Sequence, residues 1–162
     1  GERVGDDFIL FPSRGLVYQQ RGAPRFERLD YQPVARGEVV RIALWPGMAA
    51  WQLDAWLGHS NVKGALLQLW GAGNLPDDPD LLAVIAKASG EGKLIAAISQ
   101  CPQGRVKMGA YAAGNGLVDA GVLSGDDMTP EAVYTKLVHL IAQPLSPEDR
   151  RERFMMPLVG ER

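Results

Sequence analysis

Residues 62–99, "VKGALLQLWGAGNLPDDPDLLAVIAKASGEGKLIAAIS", decide the fold. They hold two short, nearly unbroken apolar runs, "VKGALLQLW" (62–70) and "KLIAAIS" (93–99), on either side of a segment with helical spacing. Apolar runs of that length without polar alternation read as strands covered on both faces. The segment between them, "DDPDLLAVIAKASGEG" (77–92), is amphipathic. Its first turn is acidic and Lys87 stands near its end, which complements the helix macrodipole. Upstream, "VVRIALWPG" (39–47) is a third strand-like run ended by Pro-Gly. "MAAWQLDAWLG" (48–58) then places Trp51, Ala55 and Trp56 at helical spacing and closes on Gly58 as a C-terminal cap. Downstream, "YAAGNGLVDAG" (111–121) reads as a helix weakened by Gly114 and Gly116. "DMTPEAVYTKLVHLIAQ" (127–143) starts with Thr129 as N-cap and Pro130 at the first helical position, and "SPEDRRERFMM" (146–156) repeats the device with Ser146 and Pro147. Strands alternating with helices through short connections predict an α/β fold. The expected form is a small open parallel sheet of about four strands sandwiched by helices, a three-layer α/β/α arrangement.

Composition narrows the class of partner. The 162 residues are 46% hydrophobic and 22% charged, with a formal net charge of −2. That is a globular balance, and it lacks the basic excess that nucleic acid or an anionic membrane surface favours. No apolar stretch approaches the ~20 residues of a membrane span. Cys101 is the single cysteine, so no internal disulfide forms, which favours a reducing compartment. The opening "GERVGDDF" has no signal peptide and no initiator Met, and reads as a cut or processed end of a longer protein. Residues 1–38 are punctuated by Pro12, Pro24 and Pro33 and carry scattered arginines. Short β-like pieces, "FILF" (8–11) and "LVYQQ" (16–20), suggest a hairpin plus linker.

In an open parallel sheet, ligands bind outside the carboxyl ends of the strands. Three such ends are "WPG", "WGAGN" and "SQCPQG". "GAGN" imitates the start of a dinucleotide fingerprint, but position 76 is Pro where the third Gly belongs. Asp77, Asp78 and Asp80 would also repel a pyrophosphate. What remains suits a small zwitterionic or amide ligand: two glycines that permit close approach, and an Asn with both donor and acceptor. Cys101 has no evident base, since His59 falls near a turn and His139 inside a helix. Two histidines and one cysteine do not make a metal site. Asp126 and Asp127 most simply cap the helix that follows them. The four tryptophans, 45, 51, 56 and 70, read as core or interface residues because no basic stripe accompanies them. The residues supply a ligand rim and no complete catalytic set.

"GAGNLP" together with "SQCPQGRVKMGAYAAGNGLVDAGVLSGDDMTPEAVYTKLVHLIAQ" strongly resembles the C-terminal domain of bacterial cytoplasmic, type I L-asparaginases. The likeness runs from about Val39 to Gln143 and is dense at 71–74, 99–105 and 126–137. It implies an interdomain linker and leading strand or hairpin at 1–38 and an asparaginase-like C-terminal α/β domain at 39–162. In that family the nucleophilic threonine lies in Gly-Thr-rich motifs of an N-terminal domain. The only threonines here are Thr129 and Thr135, so the chain has no catalytic residue of its own and is expected to be inactive alone.

The resemblance further implies hydrolysis of L-asparagine to L-aspartate and ammonia by the intact protein, without cofactor or metal. It implies a cytoplasmic homodimer or homotetramer, in which this domain meets its own N-terminal domain and completes a neighbouring subunit's site. Asn74 is carried over as the substrate contact across the interface. Gln68, Cys101, Pro102 and Gln103 are carried over as an effector site, although effector-binding members have Arg at the position of Gln68. Losing that guanidinium removes a planar fork for a carboxylate. The alternative is a stand-alone sensing or assembly module with the same fold and no catalysis. A lesser one is a component of a tRNA-dependent amidotransferase with the same C-terminal fold.

Overall fold

The computed structural model describes residues 2–4, 7–9, 34, 36–71, 75, 78–101, 112–158 and 161. Strands β1 (Glu2–Val4) and β2 (Asp7–Ile9) form an antiparallel pair in which Arg3 is in register with Phe8. This pair overlaps the first half of "FILF"; "LVYQQ" lies outside the described residues.

The main unit is a four-stranded parallel sheet in the order β3 (Val39–Ala43), β4 (Gly64–Leu69), β5 (Leu94–Ser99), β6 (Leu123–Ser124). Its crossovers carry α1 (Ala50–Leu57), α2 (Pro79–Gly90) and α3 (Ala112–Asp119). After β6 come α4 (Pro130–Ile141) and α5 (Pro147–Met155). Because the strands are laid down in spatial order, crossovers of one hand put their helices on one face. Leu53 and Leu57 of α1, Leu81 and Ile85 of α2, and Leu117 of α3 accordingly share one apolar layer with Leu67, Leu69, Ile95 and Ala97. The alternate residues Leu66, Leu94, Ala96 and Ile98 face Val133, Leu137 and Leu140 of α4 and Phe154 of α5. Every residue of β4 and β5 is buried, which is why their sequences read as continuous apolar runs. The expected three layers are present.

The caps follow the sequence. Asp78 Oδ1 accepts from Asp80 N–H at 2.9 Å, Thr129 Oγ1 from Ala132 N–H at 3.2 Å, and Ser146 Oγ from Asp149 N–H at 3.1 Å. Each precedes a Pro at the first helical position. Gly116 is placed for packing: a Cβ there would lie 2.9 Å from Leu82 Cδ1, so the glycine lets α3 approach α2.

Two expectations are corrected, and the cap of α1 is met. The side-chain cap of α4 is Thr129, while Asp126 sits in the preceding turn at φ 49°, its N–H donating to Ser124 Oγ. Gly58 is the C-cap of α1 as expected, in the right-handed conformation at φ −74°. Trp51 and Trp56 do not form the buried stripe of α1; they are 72% and 45% exposed, and Leu53 and Leu57 face the core. Six of the eight α1 residues are apolar, so spacing alone fits more than one face.

Candidate functional site at the carboxyl edge of the sheet

The carboxyl ends of β3, β4 and β5 lie side by side and are joined by the side chains of the last residue of β5 and the first residue past it. At β3, the Trp45–Met48 turn has Pro46 and Gly47 at its centre, with Met48 N–H donating to Trp45 O at 3.1 Å. Gly47 has φ 84°, the sign a type II turn demands of its third residue. At β4, Gly71 takes φ 57°. Ser99, the last residue of β5, is 5% exposed and joins the two following segments. Its Oγ donates to Gly71 O at 2.6 Å and accepts from Cys101 N–H at 2.9 Å. Gln100 Nε2 donates to Leu44 O at 2.6 Å and Gln68 O at 2.8 Å.

Of the residues singled out in the sequence, Gln68 and Cys101 are brought to this edge. Gln68 is buried, 8% exposed, and its Oε1 accepts from Arg41 Nε on β3 at 2.7 Å. A guanidinium therefore lies beside Gln68, supplied by the neighbouring strand. Cys101 is half-buried, its backbone fixed by Ser99. Asn74, Pro102 and Gln103 lie outside the described residues. Ser99 and Gln100 carry the geometry of the rim, and sequence pattern alone assigns them no role. The signal available was a small polar residue ending an otherwise apolar buried strand.

The histidines stand elsewhere. His59 is exposed in the turn after α1, its Nδ1 accepting from Asn61 N–H at 3.2 Å. His139, on α4, has its pKa lowered, first by burial and then by the charge of Arg153, with Glu161 opposing and Lys136 adding to the fall. Among the described residues no group of three His, Cys, Asp or Glu side chains is arranged to hold a metal ion. No helix among them is long and apolar enough to cross a membrane. A cleft of about 350 Å³ opens at the opposite end of β5, between Glu91, Lys93, Glu148, Arg150 and Arg151. None of the residues singled out from the sequence as binding candidates lines it. The rim groups are tied to one another by hydrogen bonds, and the described residues offer no nucleophile paired with a base.

Comparison with known proteins agrees with this arrangement. The family described as Glutaminase/Asparaginase C-terminal domain matches residues 38–154. L-asparaginase 1 of Escherichia coli strain K12 is 33% identical over 168 residues, covering 96% of this chain and 49% of that protein. A glutamyl-tRNA(Gln) amidotransferase component of Methanothermobacter thermautotrophicus is 34% identical over 148 residues, covering 89% of this chain and 32% of that protein. The crystal structure of L-asparaginase I from Vibrio cholerae superposes with a TM-score of 0.74 at 39% identity, covering 80% of this chain and 39% of that one. The chain spans at most about half the length of these relatives. It belongs to the glutaminase/asparaginase C-terminal domain family, with a type I L-asparaginase among its structural neighbours.

Proposed function

We propose that this chain is the C-terminal domain of a cytoplasmic L-asparaginase-like amidohydrolase. In the intact protein, water and L-asparagine give L-aspartate and ammonia. The threonine nucleophile comes from an N-terminal domain, residues 1–38 serve as linker and leading strand or hairpin, and 39–162 form the domain proper. The domain completes the active site of a neighbouring subunit in a homodimer or homotetramer, with Asn74 contacting substrate across the interface. Gln68, Cys101, Pro102 and Gln103 form an effector site, and this chain alone is inactive. The observation that carries the reading is the tied rim at the carboxyl edge, Ser99 to Gly71 and Gln100 to Leu44 and Gln68, in a chain whose relatives include L-asparaginase 1. Backbone carbonyls, amide side chains and a glycine turn suit a small amino acid amide, which must be oriented by hydrogen bonds at both ends. The amidotransferase relative supports a second reading, amide-nitrogen transfer to another acceptor.

The test is aspartate and ammonia release from L-asparagine by the intact protein and by its Asn74→Ala variant. Loss of one substrate hydrogen bond predicts about a tenfold to hundredfold lower kcat/KM. An intact protein that releases no aspartate from asparagine would refute the proposal.

A further inference from the structure

Gln100 ties three strand ends together. Its backbone N–H donates to Leu69 O at 2.6 Å, extending the β4–β5 ladder past the last strand residue. Its side chain then crosses the end of β4, so that Nε2 donates to both Gln68 O and Leu44 O. Both acceptors are carbonyls, so the NH₂ of the amide must face them and Oε1 must point away. Gln68 O also accepts from Leu44 N–H at 3.0 Å, which uses both of its lone pairs. Leu44 lies just past β3 and its N–H faces β4, so its C=O faces β4 as well, and the Gln100 amide takes that carbonyl at the β3–β4 seam. The segments beginning at Trp45, Trp70 and Cys101 all start from this knot.

We infer that Gln100 is a positioning residue, whose side-chain amide holds the segment after β5 in register with those after β3 and β4. It thereby sets the geometry with which the rim meets substrate. The inference rests on the proposed asparaginase-like role of the rim. A rim that grips the non-reacting end of a substrate contributes uniform binding, so its distortion is read in KM and leaves kcat nearly intact.

Gln100→Met keeps the reach and removes both donors; Gln100→Lys restores donors able to reach the carbonyls. In the intact protein, Gln100→Met should raise KM for asparagine about tenfold to hundredfold with kcat changed less than about threefold. Gln100→Lys should recover most of the loss. A fall in kcat at unchanged KM overturns the inference. A second readout needs no activity: hydrogen exchange on the 162-residue chain. The amides of Leu44, Gln100 and Cys101 should exchange at least about tenfold faster in Gln100→Met, while those of Leu66 and Ala96 stay protected. If the intact wild-type protein proves inactive on asparagine, the asparaginase reading fails and exchange alone decides the role of Gln100. Unchanged exchange at the three rim amides overturns the inference in either case. Should Gln100→Met fail to fold, Gln100→Asn, too short to reach Leu44 O, takes its place in both assays.

Discussion

Replacing Lys136 with Met tests how the last turn of the chain is held. Lys136 is 5% exposed, with its Nζ 2.6 Å from Met156 O, in contact with Glu161 Oε1, and 5.3 Å from the centre of the Phe154 ring. Methionine preserves the stem and its packing over Phe154, so the change is chiefly electrostatic. It takes the ammonium away from the Glu161 carboxylate, itself only 10% exposed. Breaking a buried pair from one side costs about 3–5 kcal/mol. Glu161 keeps the Leu158 N–H, 3.1 Å from both carboxylate oxygens, which puts the expected loss near the lower end, about 3 kcal/mol. At ~2–4 °C per kcal/mol for a chain of this size, Tm should fall by about 6–12 °C. Lys136→Met combined with Glu161→Gln removes the opposing charge as well and should recover most of that, because two groups in contact couple. Far-UV circular dichroism melts of the chain and its variants read this directly. A single variant within about 2 °C of wild type, or a double variant worse than the single, would refute the reasoning.

Other changes probe separate parts of the fold. Gly125→Ala places a Cβ 2.4 Å from Ile98 Cγ2 and 3.1 Å from Ala97 O, and should cost about 1–3 kcal/mol in urea titrations through overpacking. Ser99→Ala strips a donor from Gly71 O and an acceptor from Cys101 N–H; the expected loss is about 1–3 kcal/mol by the same measurement. His139 has a folded pKa below its unfolded value near 6.5, so its stabilising contribution is intact above that pH and is lost as pH falls through the folded value. His139→Gln should therefore shrink the drop in Tm between about pH 7.5 and 5.5, and an unchanged or steeper drop would contradict the assignment.

Sequence pattern disclosed some parts of this architecture and concealed others for identifiable reasons. β4 and β5 were readable because burial on both faces suppresses polar alternation. The starts of α4 and α5 were readable because a capping side chain followed by Pro is a local device needing no tertiary context. β6 spans two residues, too short for any period. The buried face of α1 was ambiguous because apolar residues surround it, and tertiary packing chose Leu53 and Leu57 over the tryptophans. The rim is the clearest case of long-range information. Ser99 and Gln100 matter through partners 28 and 56 residues away in the chain, which no local pattern encodes. Gln68 was noted in the sequence, whereas the guanidinium beside it comes from Arg41, 27 residues earlier, and emerges only when β3 and β4 pair.

The central claim is that this chain supplies part of an asparagine-hydrolysing site whose nucleophile lies elsewhere. The most direct measurement is a mixing experiment. This chain and the polypeptide encoded immediately upstream are produced separately, then assayed for aspartate and ammonia release from L-asparagine, each alone and together. The account predicts activity in the pair and none in either part. Hydrolysis by the 162-residue chain alone, or none by the pair and none by the intact protein, would contradict it.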